Sequence, residues 1–261
     1  MSNNELNNGL SELKIFEYSF ENEDEGSDAL SGEGSSSVKI GCIPRSQEYY
    51  NKDEYLELAV DMLIDNENIN LIMPEQMHSN EVIEVTEENI EEDLQCDAIF
   101  TKLPNICLCI ESSDCLPIHF VSKKHNIVGL IHAGWRSLVS GLIQNTFEKI
   151  GNLEDLSIMV GPCISAENYE IKKDLVEELT TIDKIYLDYI KNVDGKYFFD
   201  IKNLGIDIIK SCNYQNIYDS DINTYNDDKF ISYRKQKQLD VNTESYMTNF
   251  ISFACRYQDI K

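Results

Sequence analysis

The chain has few positive charges and no long apolar run. Only 22 of its 261 residues are Lys or Arg, against 47 Asp and Glu, which gives a formal net charge of −25. Such an excess of negative charge repels phosphate backbones and anionic lipid surfaces. No window approaches the roughly 18 apolar residues that a helix needs to cross a bilayer. We therefore expect neither nucleic acid nor membrane as a partner.

Cysteine is too scarce for a scaffold held together by disulfides. Eight cysteines in 261 residues are a small share of a long chain, unlike the dense cysteine frameworks of small secreted domains. Residues 1–10 are polar and lack the basic start and apolar run of a signal peptide. We expect most of the thiols to be reduced and buried, in a soluble cytoplasmic protein.

The second half of the chain lacks Pro- or Ser-rich linkers, and no repeat of fixed period occurs. A chain of 261 residues can bury one large core, so we expect a single domain over residues 1–261. The exception is the segment 21–37, where an acidic cluster precedes Gly and Ser residues. Its composition cannot bury enough apolar surface to fold on itself, and we expect a mobile loop at 21–37.

Short apolar segments and amphipathic segments alternate along the chain, which predicts an α/β fold with a mixed sheet. Strands are predicted at residues 13–20, 38–44, 70–73, 98–101, 106–111, 127–131, 156–160, 196–199, 229–233 and 245–255. Helices are predicted from residue 53, over 135–150, over 167–180 and up to residue 212 after Asp200 as N-cap. The last strand is long enough to be curved or to lie at an edge.

Two motifs place metal-binding side chains near the ends of predicted strands. One runs from Asp114 to Pro117 and contains Cys115; the other begins at His132, seventeen residues later, and continues into Ala-Gly-Trp-Arg. A third candidate, His78, follows the strand at 70–73. A thiolate and an imidazole that meet at strand ends can bind zinc or act as nucleophile and base. The spacing matches no zinc finger, so both chemistries stay open.

Six short blocks of sequence occur in a characteristic order. They are Gln76-Met77-His78-Ser79-Asn80, Gln95-Cys96-Asp97-Ala98, Ser113-Asp114-Cys115-Leu116-Pro117, His132-Ala133-Gly134-Trp135-Arg136, Gly161-Pro162-Cys163-Ile164 with Tyr169-Glu170, and Ile231-Ser232-Tyr233-Arg234. In this order the blocks resemble the YfiH-like proteins, a family long labelled multicopper polyphenol oxidoreductase or laccase-domain proteins. The resemblance covers nearly the whole chain.

The resemblance implies a fold, a metal and an activity. The fold would be α/β, a mixed-sheet layered α/β/β/α sandwich in a single domain. The cofactor would be zinc rather than copper, bound by His78, Cys115 and His132. The activity would be phosphorolysis of adenosine, inosine, guanosine or methylthioadenosine, which is a transferase reaction, and hydrolytic deamination of adenosine. The implied partners are a purine nucleoside and phosphate.

Further site residues are predicted in the same blocks. The catalytic set comprises Asp114, Cys115 and Arg136, and Asp114 is the candidate acid that protonates the leaving ammonia. Substrate or phosphate binding is predicted for Asn80, Asp97, Arg136 and Arg234, since a guanidinium group can bind an oxyanion through two hydrogen bonds.

The chain departs from the family pattern at two places. Around Asp97 the family usually has Thr-Asp-Gly-Leu, whereas this chain has Cys96 before the aspartate and Ala98 after it. After Arg234 the family commonly has a second arginine and, further on, a glycine-arginine pair that supplies a distal cation, whereas this chain has Lys235 and no arginine in 240–245. If that distal cation binds phosphate, phosphorolysis should be weakened more than deamination.

Two other classes of function stay open. A metal-free cysteine hydrolase or amidase would use Cys115 as nucleophile and His132 as base, and the similarity of the layered fold to bacterial toxin deamidases favours it; His78 would have no role. A non-catalytic metal-binding or partner-binding protein is supported only by the acidic loop. Copper-dependent phenol oxidation is disfavoured, because multicopper oxidases need more than four histidines. His119 and His125 are interpreted as structural.

Overall fold

The computed structural model describes residues 14–20, 36–44, 69–151, 153–239 and 249–258. Within these ranges the strands are β1 (Lys14–Phe20), β2 (Ser36–Ile43), β3 (Asn70–Ile72), β4 (Val82–Val85), β5 (Ala98–Thr101), β6 (Ile106–Ser112), β7 (Leu116–Ser122), β8 (Ile127–Ala133), β9 (Ser157–Val160), β10 (Glu170–Ile171), β11 (Ile190–Val193), β12 (Lys196–Phe199), β13 (Ile217–Asp219) and β14 (Phe250–Gln258).

The α-helices of the same ranges are α1 (Trp135–Val139), α2 (Leu142–Ile150), α3 (Lys173–Ile182), α4 (Ile201–Ser211) and α5 (Tyr233–Gln238). Two 3-10 helices, Ala166–Asn168 and Lys184–Tyr189, lie between them. None of the described helices is long and apolar enough to span a bilayer.

Two large sheets stack face to face. The six-stranded sheet has the order β13-β9-β7-β8-β5-β4, and the five-stranded sheet has the order β1-β2-β14-β6-β3. Both are mixed: β13 with β9, β4 with β5 and β3 with β6 are parallel pairs, and their other pairs are antiparallel. A small antiparallel sheet, β10-β12-β11, lies apart from them.

Side chains that alternate along the strands fill apolar layers on both faces of the six-stranded sheet. Between the sheets, Ile40, Leu108 and Leu130 belong to one buried cluster. On the opposite face of the six-stranded sheet, Phe120 packs with Phe147 of α2. The order of layers is therefore helices, six-stranded sheet, five-stranded sheet, as predicted for the inner layers. The helix predicted from residue 53, and residues 21–35 of the predicted loop, lie outside the described residues.

A glycine in β8 makes the aromatic core possible. Gly129 pairs with Phe100 on one side and with Phe120 on the other. A Cβ atom at this position would lie 2.2 Å from Cζ of Phe120, a distance that closely packed interiors do not tolerate. The absence of a side chain on β8 thus lets two phenylalanine rings pack beside it.

Several predicted elements are confirmed. The strands at 98–101 and 196–199 have the predicted bounds, and those at 106–111 and 127–131 continue one and two residues further. Asp200 caps α4, because its side chain accepts a hydrogen bond from the backbone N–H of Asn203. His132 accordingly lies within β8, one residue before its end.

Other predictions are wrong. The helix predicted over 135–150 is interrupted at Gly141, which has φ of +88° and separates α1 from α2. Residues 116–122 were not predicted as a strand but form β7, whose second residue, Pro117, lacks an N–H for the ladder. Ser36 and Ser37 belong to β2 and not to a loop, and β14 lies inside its sheet and not at an edge.

Two segments around the helices also differ from the prediction. The helix predicted over 167–180 is preceded by a 3-10 turn and by β10, and α3 begins at Lys173. The strand predicted at 229–233 does not form, since Ser232 caps α5 and the helix begins at Tyr233. The apolar side chains in 167–172 and 229–233 suggested a helix and a strand, because a short apolar segment does not distinguish the two.

Candidate metal centre

The topology explains why three residues far apart in sequence meet. Both the 73–81 connection, which contains His78, and the 113–115 connection, which contains Cys115, pass from the five-stranded sheet to the six-stranded sheet. The start of β7 pairs with the end of β8, where Leu116 faces Ala133. His132 near the end of β8 is therefore brought beside both connections.

The ligand atoms of His78, Cys115 and His132 lie within 4.8 Å of one another. Nε2 of His78 is 3.7 Å from Sγ of Cys115 and 3.5 Å from Nε2 of His132. In a tetrahedral zinc site, ordinary bond lengths put two nitrogens about 3.3 Å apart and a nitrogen and a sulfur about 3.6 Å apart. The donor set and its geometry thus fit one ion of this size. Within the described ranges the group has three members, which leaves a fourth position for a reactant.

A buried carboxylate fixes the loop that carries His78. Asp97 accepts hydrogen bonds from the backbone N–H groups of Met77, His78 and Ser79 and from the hydroxyl of Ser79. His78 itself has φ of +54°, a conformation that needs such support. Asp97 is 0% exposed, and its hydrogen bonds are those of a positioning residue; its contact with substrate stays a prediction.

Asn80 also anchors this loop. Its side-chain amide donates to the carbonyl of Ser140, and its own carbonyl accepts from Asn145. These bonds tie the His78 loop to the helical layer, at the junction between α1 and α2. The substrate role of Asn80 stays a prediction beside this structural one.

Gly134 leaves the space that the His78 ring occupies. A Cβ atom at residue 134 would lie 2.6 Å from Cδ2 of His78 and 3.3 Å from Sγ of Cys115. The backbone there is extended, with φ of −71°, so the requirement for glycine is one of space and not of backbone conformation.

The electrostatics of the centre favour binding of a cation. Burial, with the nearby carboxylates of Asp114 and Asp97, raises the pKa of the Cys115 thiol to about 12. Burial, with the adjacent ring of His78, lowers the pKa of His132 to about 4. His132 is then neutral, as a ligand must be, and Ser112 contacts its Nδ1 at 3.4 Å. A thiol with such a raised pKa forms a thiolate readily only when a cation is bound.

The same geometry disfavours the metal-free hydrolase. Activation of Cys115 as a nucleophile requires a low thiol pKa and a base in contact with Sγ. The thiol pKa is raised instead, and the imidazole in contact with Sγ is that of His78, whereas Nε2 of His132, the proposed base, lies 3.5 Å from Nε2 of His78.

Asp114 holds the turn before Cys115 in place. It has φ of +86°, and its carboxylate accepts from the hydroxyls of Thr224 and Ser232 and from the backbone N–H of Arg234. Through these three donors Asp114 connects Cys115 to the start of α5. Its role as proton donor stays a prediction.

Both predicted arginines reach the centre. Arg136 stacks on Trp135 at 4.3 Å from the ring centroid, and Arg234 lies 5.3 Å from the ring centroid of Tyr169. A cavity of about 230 Å³, the smaller cleft, is lined by these two arginines together with His78 and Cys115. Arg234 also donates to the carbonyl of Glu170, so its guanidinium group is held by two elements.

A larger cleft of about 780 Å³ opens on the metal centre as well. It is lined by Gln76, Glu111, Ser113, His132, Tyr233 and Asn249, among others. The side-chain amide of Gln76 pairs with the backbone N–H and C=O of Glu111, which fixes this wall. Sequence reasoning assigned no role to Glu111 or Tyr233, although Glu111 is the one charged residue in the apolar segment of β6.

Comparison with known proteins identifies the family. Residues 52–248 match the family model described as multi-copper polyphenol oxidoreductase laccase. The chain belongs to this family. The resemblance of the six blocks to YfiH-like proteins is thereby confirmed, and the laccase-domain match includes all three candidate ligands.

Relatives of this laccase-domain chain carry another name. A purine nucleoside phosphorylase of Staphylococcus epidermidis is 31% identical over 230 residues, covering 78% of this chain and 86% of the relative. A purine nucleoside phosphorylase of Haemophilus influenzae is 30% identical over 168 residues, covering 62% and 68%.

Solved structures confirm the predicted fold class. A Neisseria meningitidis protein has a TM-score of 0.68 and 21% identity, covering 86% of this chain and 95% of its own. The hypothetical protein YfiH of Bacillus licheniformis has a TM-score of 0.67 and 17% identity, covering 84% and 92%. The laccase-domain chain thus has the mixed α/β fold of these proteins.

Proposed function

We propose that this chain is a zinc-dependent purine nucleoside enzyme that catalyses phosphorolysis of adenosine, inosine, guanosine or methylthioadenosine. The observation that carries the proposal is the convergence of His78, Cys115 and His132 beside a cavity that contains two arginines. The names of the curated relatives support the same reaction.

Zinc is proposed because two imidazoles and a thiolate suit it, and three protein ligands with one open position are typical of its catalytic sites. When bound, such an ion supplies Lewis acidity and activates water at neutral pH. The side chains of the chain then have to bind phosphate, orient the nucleoside and move protons.

Phosphate binding is assigned to Arg136 and Arg234. Each guanidinium group is held against an aromatic ring, Trp135 or Tyr169, before any ligand arrives. A guanidinium that is already oriented loses less entropy when it binds a dianion through two hydrogen bonds. Phosphate in the smaller cleft would lie next to the metal ligands. From that position it can reach the ribose carbon of a nucleoside bound beside the metal centre.

Proton transfer to the leaving purine is assigned to a carboxyl group of the larger cleft. Glu75 and Glu111 are the carboxyl groups that line the larger cleft within the described ranges. Glu75 accepts a hydrogen bond from Gln95, whereas Glu111 lies on β6 beside Ser112, which contacts His132. A purine leaves more easily when it is protonated. For this reason the reaction needs a proton donor, and we assign that role to Glu111.

Deamination of adenosine is the second candidate reaction. An open coordination position on a Cys/His-bound ion is the arrangement that hydrolytic deaminases use. Lys235 keeps the charge but lacks a guanidinium group, and the absence of arginine in 240–245 leaves one cation fewer for phosphate, so deamination should be less affected than phosphorolysis.

Chromatography of adenosine and inosine incubated with and without phosphate tests the proposal. Free purine base that forms only with phosphate supports phosphorolysis, and inosine that forms from adenosine without phosphate supports deamination. If neither product forms with zinc-loaded protein, the proposed function is wrong. Turnover that resists chelators and stops with iodoacetamide would favour the cysteine hydrolase.

A further inference from the structure

The two clefts share one wall, formed by His78, Ser113, Cys115 and Tyr233. Tyr233 is the aromatic member of this wall, and its side chain is 47% exposed. An aromatic ring left open to solvent beside a catalytic centre offers an apolar face that a planar ligand can cover.

Tyr233 is held in a fixed place although its ring is exposed. Both neighbours in the chain, Ser232 and Arg234, donate hydrogen bonds to the carboxylate of Asp114, which precedes Cys115. The ammonium group of Lys237, one helical turn later, lies 5.2 Å from the ring centroid. The two hydrogen bonds fix the start of α5 against the turn that carries the thiol, so the backbone at Tyr233 does not have to be ordered when ligand binds.

The sizes of the clefts decide which substrate enters which. The larger cleft, at about 780 Å³, lies within the roughly 300–1,000 Å³ of sites for small organic ligands. The smaller cleft, at about 230 Å³, is below that range but contains Arg136 and Arg234, which suit a compact anion. The nucleoside then belongs in the larger cleft and phosphate in the smaller one, with Tyr233 at the boundary.

We propose that Tyr233 contacts the nucleoside substrate, with its ring stacked on the purine in the larger cleft. This assignment rests on the proposed function and adds the residue that recognises the base. Stacking uses the π face and not the hydroxyl, so every purine should be accepted alike, and phenylalanine should replace tyrosine with little loss.

Steady-state kinetics and inosine binding by calorimetry test the proposal on zinc-loaded protein. We expect Tyr233→Ala to raise the KM and the Kd for inosine by about tenfold or more, while the KM for phosphate stays within about twofold. Tyr233→Phe should match the wild type. Tyr218→Ala is the matched control, because Tyr218 is also 47% exposed and lies on β13, and it should change neither constant.

Each other outcome contradicts either the role of Tyr233 or the proposed function. Wild-type turnover with an unchanged inosine KM in Tyr233→Ala removes the role of Tyr233 and leaves the proposed function intact. Equal damage from Tyr233→Phe and Tyr233→Ala contradicts stacking and indicates the hydroxyl. Wild-type protein that neither binds nor turns over inosine contradicts both proposals. Zinc content and thermal unfolding should be unchanged in the variants, and a loss of zinc in Tyr233→Ala would assign the residue to the centre's structure.

Discussion

Two carboxylates beside the candidate metal centre accept hydrogen bonds from the backbone. Asp97 accepts hydrogen bonds from the His78 loop, and Asp114 accepts them from the segment that leads into α5. Asp97 contacts the loop that carries His78, and Asp114 directly precedes Cys115. At the scale of single residues, the centre therefore depends on acceptors that orient its ligands.

Asp97→Asn should weaken metal binding. The amide replaces one acceptor oxygen with a donor that faces backbone N–H groups, so buried donors lose their partners. We expect metal affinity to fall by about 10–100-fold and the free energy of unfolding to fall by about 1–3 kcal/mol. Competition with a chelator and denaturant titration measure the two effects.

Asp155→Asn is the matched control for this substitution. Asp155 also accepts several hydrogen bonds, from Ser122, the backbone N–H of Lys124 and His125. It should lose stability but keep its metal affinity. Wild-type metal affinity in Asp97→Asn would show that the His78 loop does not need this support.

Arg234→Lys should impair the use of phosphate. Lysine keeps the charge but loses the planar group that lies near Tyr169 and donates to Glu170. We expect the KM for phosphate to rise by about tenfold, with the KM for nucleoside unchanged. Arg256→Lys is the matched control. Arg256 lies on β14 and donates to the carbonyl of Lys102, and its substitution should leave both constants unchanged. A normal phosphate KM in Arg234→Lys would place the phosphate elsewhere.

At the scale of elements, the passage from β8 into α1 determines whether the ligands fit together. Gly134→Ala should displace the His78 ring, because the new methyl group would lie 2.6 Å from Cδ2. We expect metal affinity to fall at least about tenfold while the fold persists, since φ at this position suits alanine. Metal competition and circular dichroism measure the two properties.

Gly195→Ala should give the reverse pattern. Gly195 has φ of +84° and open space around its Cα, so alanine there costs about 1 kcal/mol of stability through backbone strain and leaves metal affinity unchanged. If Gly134→Ala binds metal like the wild type, the close contact with His78 is not limiting.

Elements with an uninterrupted apolar pattern could be predicted from the sequence, and others could not. The buried strand Ala98–Thr101 and the Asp200 cap were predicted because each signal is local. β7 was missed because Pro117 and His119 weaken its pattern, although every residue of the strand is buried. The central position of β14 depends on pairing with β2 and β6, which a local pattern does not contain.

At the scale of the whole molecule, His119 connects the two sheets. It lies on β7, and its Nε2 contacts the carbonyl of Gly41 on β2 at 3.0 Å. Burial lowers its pKa to about 4, below the value of about 6.5 in an unfolded chain. The unfolded state therefore binds the proton first as pH falls. As pH falls from about 6.5 to about 4, protonation of His119 should lower the free energy of unfolding by up to about 3 kcal/mol. Above about pH 6.5 this residue should cause no change of stability with pH.

His119→Gln tests this dependence, because glutamine can still donate to Gly41 but does not titrate. Denaturant unfolding at about pH 7 and about pH 4.5 should show a smaller loss of stability in the variant than in the wild type. Equal losses in the two proteins would mean that His119 is not the group that links protonation to the packing of the sheets.

The candidate site could be predicted only in part. His78, Cys115 and His132 were named through the resemblance, and their spacing alone left a nucleophile–base pair open. Their convergence depends on two connections that cross between the sheets, which is a property of the whole fold. The roles of Asp97 and Asp114 required their hydrogen bonds, since a carboxylate in a motif can bind substrate or support a loop.

Metal content and inosine phosphorolysis, measured together on the wild type, Cys115→Ala and Cys212→Ala, test the central claim most directly. Cys212 is another half-buried cysteine, at the end of α4. We expect about one zinc ion per chain in the wild type and in Cys212→Ala, and loss of both zinc and turnover in Cys115→Ala. A Cys115→Ala protein that keeps its metal and full turnover would contradict the account.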